Sequence, residues 1–244
     1  MSRSSILKKL GHKPLYLDEE WHSPKGRAIR EVIYGATDGV ITSLGFLIGV
    51  FGALHESRII LITGIASASA GALSMGFSAY ISSKSQTEFF LAEIDRERRE
   101  MEEIPDKEKD EVRKIYRAKG FRGEELEMVV RRITADPLVW LRCMMEEELG
   151  LIVESFDTPW IVGAITAASY ALGAFIPITP YMLVSPQKAF PWSIALAVIS
   201  LFGLGAGKTR FTRISLWKSG LELMAIGLVS ALVGYLIGFL AGTM

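Results

Sequence analysis

Charge in this chain is confined to a few stretches, and that segregation restricts its fold more than any other feature. Half of its residues are apolar, a high share for a water-soluble domain, yet the 22% that are charged is ordinary. The two values reconcile because Asp, Glu, Lys and Arg are nearly absent from residues 32–54, 59–83, 158–184, 189–207 and 223–244. Each run is close to or above the roughly 20 residues that a helix needs to cross a hydrocarbon core. The expectation is an all-α membrane protein with five spans and a charged, helical insert between the second and the third.

Basic residues orient the spans. Arg3, Lys8, Lys9, Lys13, Lys25, Arg27 and Arg30 precede the first, and Lys208, Arg210, Arg213 and Lys218 join the fourth to the fifth. The links on the opposite side hold only Arg58 and Lys188, and the tail after the fifth span has no charged side chain. This pattern puts residues 1–30 in the cytosol as an N-terminal segment, followed by spans one and two (31–83). The insert (84–151) is then cytosolic, and spans three to five (158–244) end with the C-terminus outside. His12, Asp18, Glu19 and Glu20 stand where a cleavable signal would need an apolar run. The first span is therefore expected to act as its own insertion signal. A net charge of zero gives no reason to expect nucleic acid as a partner. Cys143 is the sole cysteine, which excludes an intramolecular disulfide and a cysteine-built zinc site.

The insert reads as three helices. The first continues from span two through residues 84–104 with no Gly or Pro to stop it, and Pro105 ends it. A second covers 106–119, Gly120 and Gly123 punctuate, and a third covers 124–149, which Pro137 kinks or divides. Glu93, Glu97 and Glu100 fall on one helical face, Glu108 and Glu111 form a second pair, and Met144, Met145, Glu146, Glu147 and Glu148 close the third helix. Carboxylates converging from several helices make an oxygen-rich cation site, and a thioether would tilt it toward softer transition metals. Glu and Arg interleaved at this spacing equally describe a solvated face laced by i,i+4 pairs, and the Met pair fits core packing or a dimer contact.

Asp38 lies within the first apolar run, in Tyr34-Gly35-Ala36-Thr37-Asp38-Gly39-Val40. An ionisable group at membrane depth costs several kcal/mol unless a partner, an ion or a pathway compensates it; the alternative is a cap at a helix start near water. Met75 becomes a ligand candidate if it faces Asp38. Glu31 stands at the cytosolic mouth of span one, where a bridge to Arg27 or Arg30 would explain it. Glu222 sits one turn after Lys218 and reads as an i,i+4 pair. Pro177 and Pro180 suggest a broken or bent end to span three, and Gly35/Gly39, Gly45/Gly49, Gly203/Gly207 and Gly234/Gly238 have the small-xxx-small spacing of close helix contacts. His12, His22 and His55 share no metal-ligand spacing, and no phosphate loop or nucleophile–base arrangement occurs. Neither an enzyme nor an organic cofactor is expected.

Three ordered motifs resemble the vacuolar iron transporter family. They are Arg30-Glu31 followed by Gly35-Ala36-Thr37-Asp38-Gly39, then Ala70-Gly71-Ala72-Leu73-Ser74-Met75-Gly76 with Tyr80-Ile81-Ser82, then Met144-Met145-Glu146-Glu147-Glu148-Leu149-Gly150-Leu151. The likeness extends from about Lys25 to Gly242. It implies a homodimer of five-span subunits that exports Fe2+ from the cytosol in exchange for protons, with Mn2+ as an alternative cargo. By position it implies cytosolic metal ligands at Glu97, Glu100, Glu108, Glu111, Met144, Met145 and Glu148. Asp38 and Met75 would be the translocation residues, with Glu31 on the same path. A mixed set of oxygens and thioether suits Fe2+. Many members have a further carboxylate in span two, where this chain has Ser67 and Ala79; Glu31 or Glu222 would have to compensate.

The implied partners are thus a divalent metal, protons and a second copy of the chain, with membrane lipid around the spans; the lack of an evident organelle-targeting segment and the short termini favour a prokaryotic cell membrane. A membrane-anchored metal-binding or sensing protein without transport is the main competing reading. A scaffold whose charged insert docks a partner is the third.

Overall fold

The computed structural model describes residues 25–54, 56–150, 158–212 and 214–243. The segment before residue 25, with His12 and His22, lies outside these, as do His55, Arg213 and residues 151–157. The described residues form eight helices and no strand: α1 (Lys25–Ala53), α2 (Ser57–Glu103), α3 (Pro105–Ala118), α4 (Gly123–Thr134), α5 (Pro137–Glu147), α6 (Pro159–Leu183), α7 (Pro186–Thr212) and α8 (Leu216–Gly242). Of these, α1, α2, α6, α7 and α8 are long and apolar enough to cross a membrane, in agreement with the five runs read from the sequence.

Helix α2 is 47 residues long and passes from apolar to charged sequence without interruption, because Lys, Glu, Gln and Arg are good helix formers. Pro105 ends it and occupies the first turn of α3, where its missing N–H is no loss. Gly120 (φ +108°) and Gly123 (φ +55°) turn the chain into α4 through left-handed backbone that a Cβ would disfavour. Pro137 divides the helix expected over 124–149. Asp136 caps α5 there by accepting bonds from the Leu138 (2.8 Å) and Val139 (3.4 Å) amides, which satisfies two of its free donors. The prolines of span three act differently. α6 runs unbroken past Pro177 and Pro180 to Leu183, and the Ser193 hydroxyl of α7 donates to the Pro177 carbonyl at 2.7 Å.

The described residues divide into two compact units, one within Ile81–Pro159 and one of residues 25–80 and 160–243; α2 contributes to both. The first unit is built from the C-terminal part of α2 with α3, α4 and α5. Its core gathers Ile94 and Met101 of α2, Val112 of α3, Leu126, Val130 and Ile133 of α4, and Trp140, Leu141, Cys143, Met144 and Met145 of α5. Leu126, Val130 and Ile133 recur at i, i+4 and i+7, the spacing that puts one helical face into a core. An Arg113–Glu127 fork (2.6 and 3.1 Å) ties α3 to α4, and a Lys119–Glu147 pair ties α3's end to α5.

The second unit packs α1 against α6, α7 and α8. Gly45 and Gly49 of α1 lie against Gly234 and Gly238 of α8 so closely that a Cβ on either α8 glycine would enter an α1 carbonyl. Small residues let membrane helices associate in this way. Gly35 and Gly39 meet the α6 backbone at Thr166 and Tyr170 in the same manner. The expected pair Gly203/Gly207 makes no such contact, since a Cβ at either meets nothing within 4 Å; the close approach of α7 to α8 is made by Gly205, against Ser219 and Gly220.

Candidate metal centre

In the Ile81–Pro159 unit the apolar stripe of α2 includes Phe90, Ile94 and Met101, and Glu97 falls on that stripe between the last two. Glu97 is therefore forced inside, 1% exposed, and Glu108 of α3 is fully buried on the face that also buries Val112. Glu148, at the end of α5, brings its carboxylate to the same place. One oxygen from each of Glu97, Glu108 and Glu148 lies within 4.8 Å of the other two. Both oxygens of Glu108 and one of Glu97 are buried with no hydrogen-bond partner. A buried carboxylate without partners is expensive and calls for a proton or a cation.

The electrostatics agree. Burial first, then the negative charges of Glu148 and Glu108, pushes the Glu97 carboxyl up to about 8. Glu108 is raised by burial and by Glu111, and Glu148 by burial and then by Glu111 and Glu108. Glu100 adds to the repulsion at all three. Glu100 and Glu111 themselves stand at the rim, half-buried, paired with Arg96 (3.6 Å) and Lys107 (3.3 Å). Glu93, on the face expected to hold Glu97 and Glu100, turns to Arg96 instead at 2.9 Å. Oxygens sharing one octahedral ion stand about 3 Å apart, so modest side-chain rotation would close this cluster around a cation.

Met144 and Met145 are both fully buried in the hydrophobic cluster, as the core-packing alternative expects. They share it with Ile94 and Val112, helical neighbours of Glu97 and Glu108, so thioether and carboxylate come from adjoining positions in one small unit.

The second unit holds Asp38, half-buried in α1, with its Oδ1 accepting a bond from the Thr42 hydroxyl at 3.3 Å. Asp38 lines an open cleft of about 600 Å³ with Arg30, Tyr34, Thr37, Lys208 and Ile226. Met75 does not line this cleft. It packs at the edge of a cluster containing Leu47, Tyr170 and Ile178, and the Tyr170 hydroxyl lies so close over Gly71 that a Cβ there would collide with it. Thr42 also reaches Tyr170, so a chain of polar groups runs from Asp38 toward the α2 turn before Met75. Sequence reasoning passed over Tyr170; its signal was a phenol in an uncharged span, which must find a polar partner.

Glu31 is buried. Its Oε1 accepts two bonds from the Arg30 guanidinium (3.0 and 2.7 Å), and its Oε2 accepts one from Thr166 of α6 (3.2 Å). The Arg30 bridge expected for it is present. Glu222 differs from expectation: it pairs with Lys208 of α7 at 3.9 Å rather than with Lys218, because close packing of α7 on α8 brings that lysine across.

A family model described as the VIT family matches residues 29–239. The chain is 33% identical to vacuolar iron transporter 1 of Arabidopsis thaliana over 88% of its own length and 87% of the relative's. It is 31% identical to vacuolar iron transporter 2 of Oryza sativa subsp. japonica, covering 91% of each chain. Its identity to the vacuolar iron transporter of Plasmodium falciparum is 34%, over 86% and 81% of the two chains.

Proposed function

Because this chain belongs to the VIT family, we propose that it is a divalent-metal transporter that moves Fe2+ out of the cytosol in exchange for protons. The relatives' names supply the cargo. The observation supporting a metal role for this chain's own residues is the convergence of the buried Glu97 and Glu108 with the exposed Glu148, with no basic side chain hydrogen-bonded to the buried oxygens. In this reading those three bind the ion in a cytosolic domain, Glu100 and Glu111 complete its oxygen set, and Met144 and Met145 lend sulfur that favours Fe2+ or Mn2+ over Mg2+ and Ca2+.

Asp38 is the acid of the membrane pathway. It stands at a cleft with water-accessible charged groups at its rim, and a half-buried carboxylate can exchange a metal for a proton. Met75 and Glu31 are assigned to the same path by family likeness, since neither lines the Asp38 cleft. The transporter works as a homodimer, with its N-terminus and charged unit in the cytosol and its C-terminus on the far side. The expected prokaryotic cell membrane draws no support from the relatives, which are plant and Plasmodium proteins named vacuolar.

A metal-binding or sensing protein without transport remains the second reading, favoured by Ser67 and Ala79, which leave the apolar part of α2 without a carboxylate. Fe2+ flux into proteoliposomes with an internal pH dye separates the two. Metal entry with proton counter-movement, lost in Asp38→Ala, supports transport. Binding without flux under either pH gradient leaves the sensor.

A further inference from the structure

Lys107 is the first cation beside the carboxylate cluster, and its placement is unusual for a surface lysine. Its Nζ lies 3.3 Å from Glu111 Oε1 and 3.7 Å from Glu108 Oε1, although Glu108 is fully buried and Lys107 is mostly exposed. Its charge is felt at Glu148 as well. At 3.7 Å the ammonium is too far to hydrogen-bond Glu108, whose oxygens face the Glu97 carboxyl rather than a basic donor. It offsets their repulsion while leaving their lone pairs free.

We infer that Lys107 is a tethered cation that competes with the metal, occupying the mouth of the Glu97–Glu108–Glu148 site and swinging into solvent when a divalent ion binds. This rests on the metal-site reading above and sets the affinity of that site. The lysine stem is long and flexible, so leaving costs one ion pair with the half-buried Glu111 and a longer one with the buried Glu108. Its return lessens the like-charge repulsion among carboxylates that have lost their ion, which eases release. A site that must pass metal onward gains from such a device, because binding too tight to reverse would stop delivery.

The test is anaerobic Fe2+ titration of the purified full-length protein, with dissociation followed by a chelator chase. Lys107→Gln is expected to tighten binding about three- to tenfold and to slow release by a similar factor, from the loss of the competing charge beside Glu111 and Glu108. Lys107→Arg, which keeps the charge, should stay near the parent values. Unchanged or weaker binding in Lys107→Gln, with the fold intact, overturns the inference and leaves the metal site standing. A parent protein that takes up no Fe2+ removes the site itself, and this inference with it.

Discussion

Glu97 shares a helical stripe with Phe90, Ile94 and Met101, so folding the unit drives a carboxylate into its core whether or not an ion is present. The consequence is a pH dependence with a definite sign. In the unfolded chain Glu97 has an ordinary carboxyl near 4.5, whereas the folded chain keeps the proton up to about 8. Between those values the native state holds more protons than the unfolded one, so metal-free stability falls as pH rises through the window. Thermal melts of chelator-treated protein should show this decline, with a shallower slope in Glu97→Gln, whose amide mimics the protonated acid. Metal affinity must run the other way, because the ion displaces the proton. Glu97→Gln or Glu108→Gln should weaken Fe2+ binding by about tenfold or more while raising the metal-free melting temperature. A melting temperature that drops in both variants would mean that these acids hold the fold together and are not kept for a ligand. The candidate acids were legible in the sequence as residues, since Glu97, Glu108 and Glu148 can be picked out by helical spacing and family likeness. Their ranking was not. Spacing puts Glu93, Glu97 and Glu100 on one face; only the position of the neighbouring helices decides that Glu97 goes inside while the other two turn to Arg96.

Helix contacts obey the same division between what a pattern permits and what packing selects. Four glycine pairs have small-xxx-small spacing, and three of them bring backbones together while Gly203/Gly207 does not. The spacing places two glycines on one face, but the face that meets a neighbour depends on how the whole helix is turned. Charge segregation, by contrast, depends only on the solvent around each stretch, which is why all five spans could be read directly. Pro137 and Pro105 were readable for a similar local reason, whereas Pro177 and Pro180 do not break α6, which stays helical through Leu183. Two substitutions separate contact from coincidence. Gly238→Ala should destabilise the protein by about 1–3 kcal/mol, the usual cost of overpacking a closed contact. Gly203→Ala should be neutral or stabilising by up to about 1 kcal/mol, the helix propensity that alanine gains over glycine. Thermal unfolding of the two variants in detergent reads the difference, and equal losses would mean that α7 meets a neighbour at Gly203 in the assembled protein.

At the scale of the whole molecule, the two compact units hold their acids on helices of different character, and so they should fail in different ways. Glu97, Glu108 and Glu148 come from a helical unit rich in both signs of charge, and Asp38 comes from a helix long and apolar enough to cross a membrane. If the first set collects metal and the second passes it, removing the first should impair loading at low concentration without closing the path. A variant with Glu97, Glu108 and Glu148 all changed to Gln should then lose high-affinity Fe2+ binding and show slow flux at low Fe2+, yet approach the parent rate when Fe2+ is raised toward saturation. Asp38→Ala should do the reverse, keeping the high-affinity binding of the other unit while transporting nothing at any concentration. Measuring equilibrium binding and proteoliposome flux on the same preparations tests both halves at once. Loss of flux at saturating Fe2+ in the triple variant would make the carboxylate cluster an obligatory station on the path. Full flux in Asp38→Ala would move the proton-coupled step to another acid, with Glu31, already buried and held by Arg30 and Thr166, the first to examine.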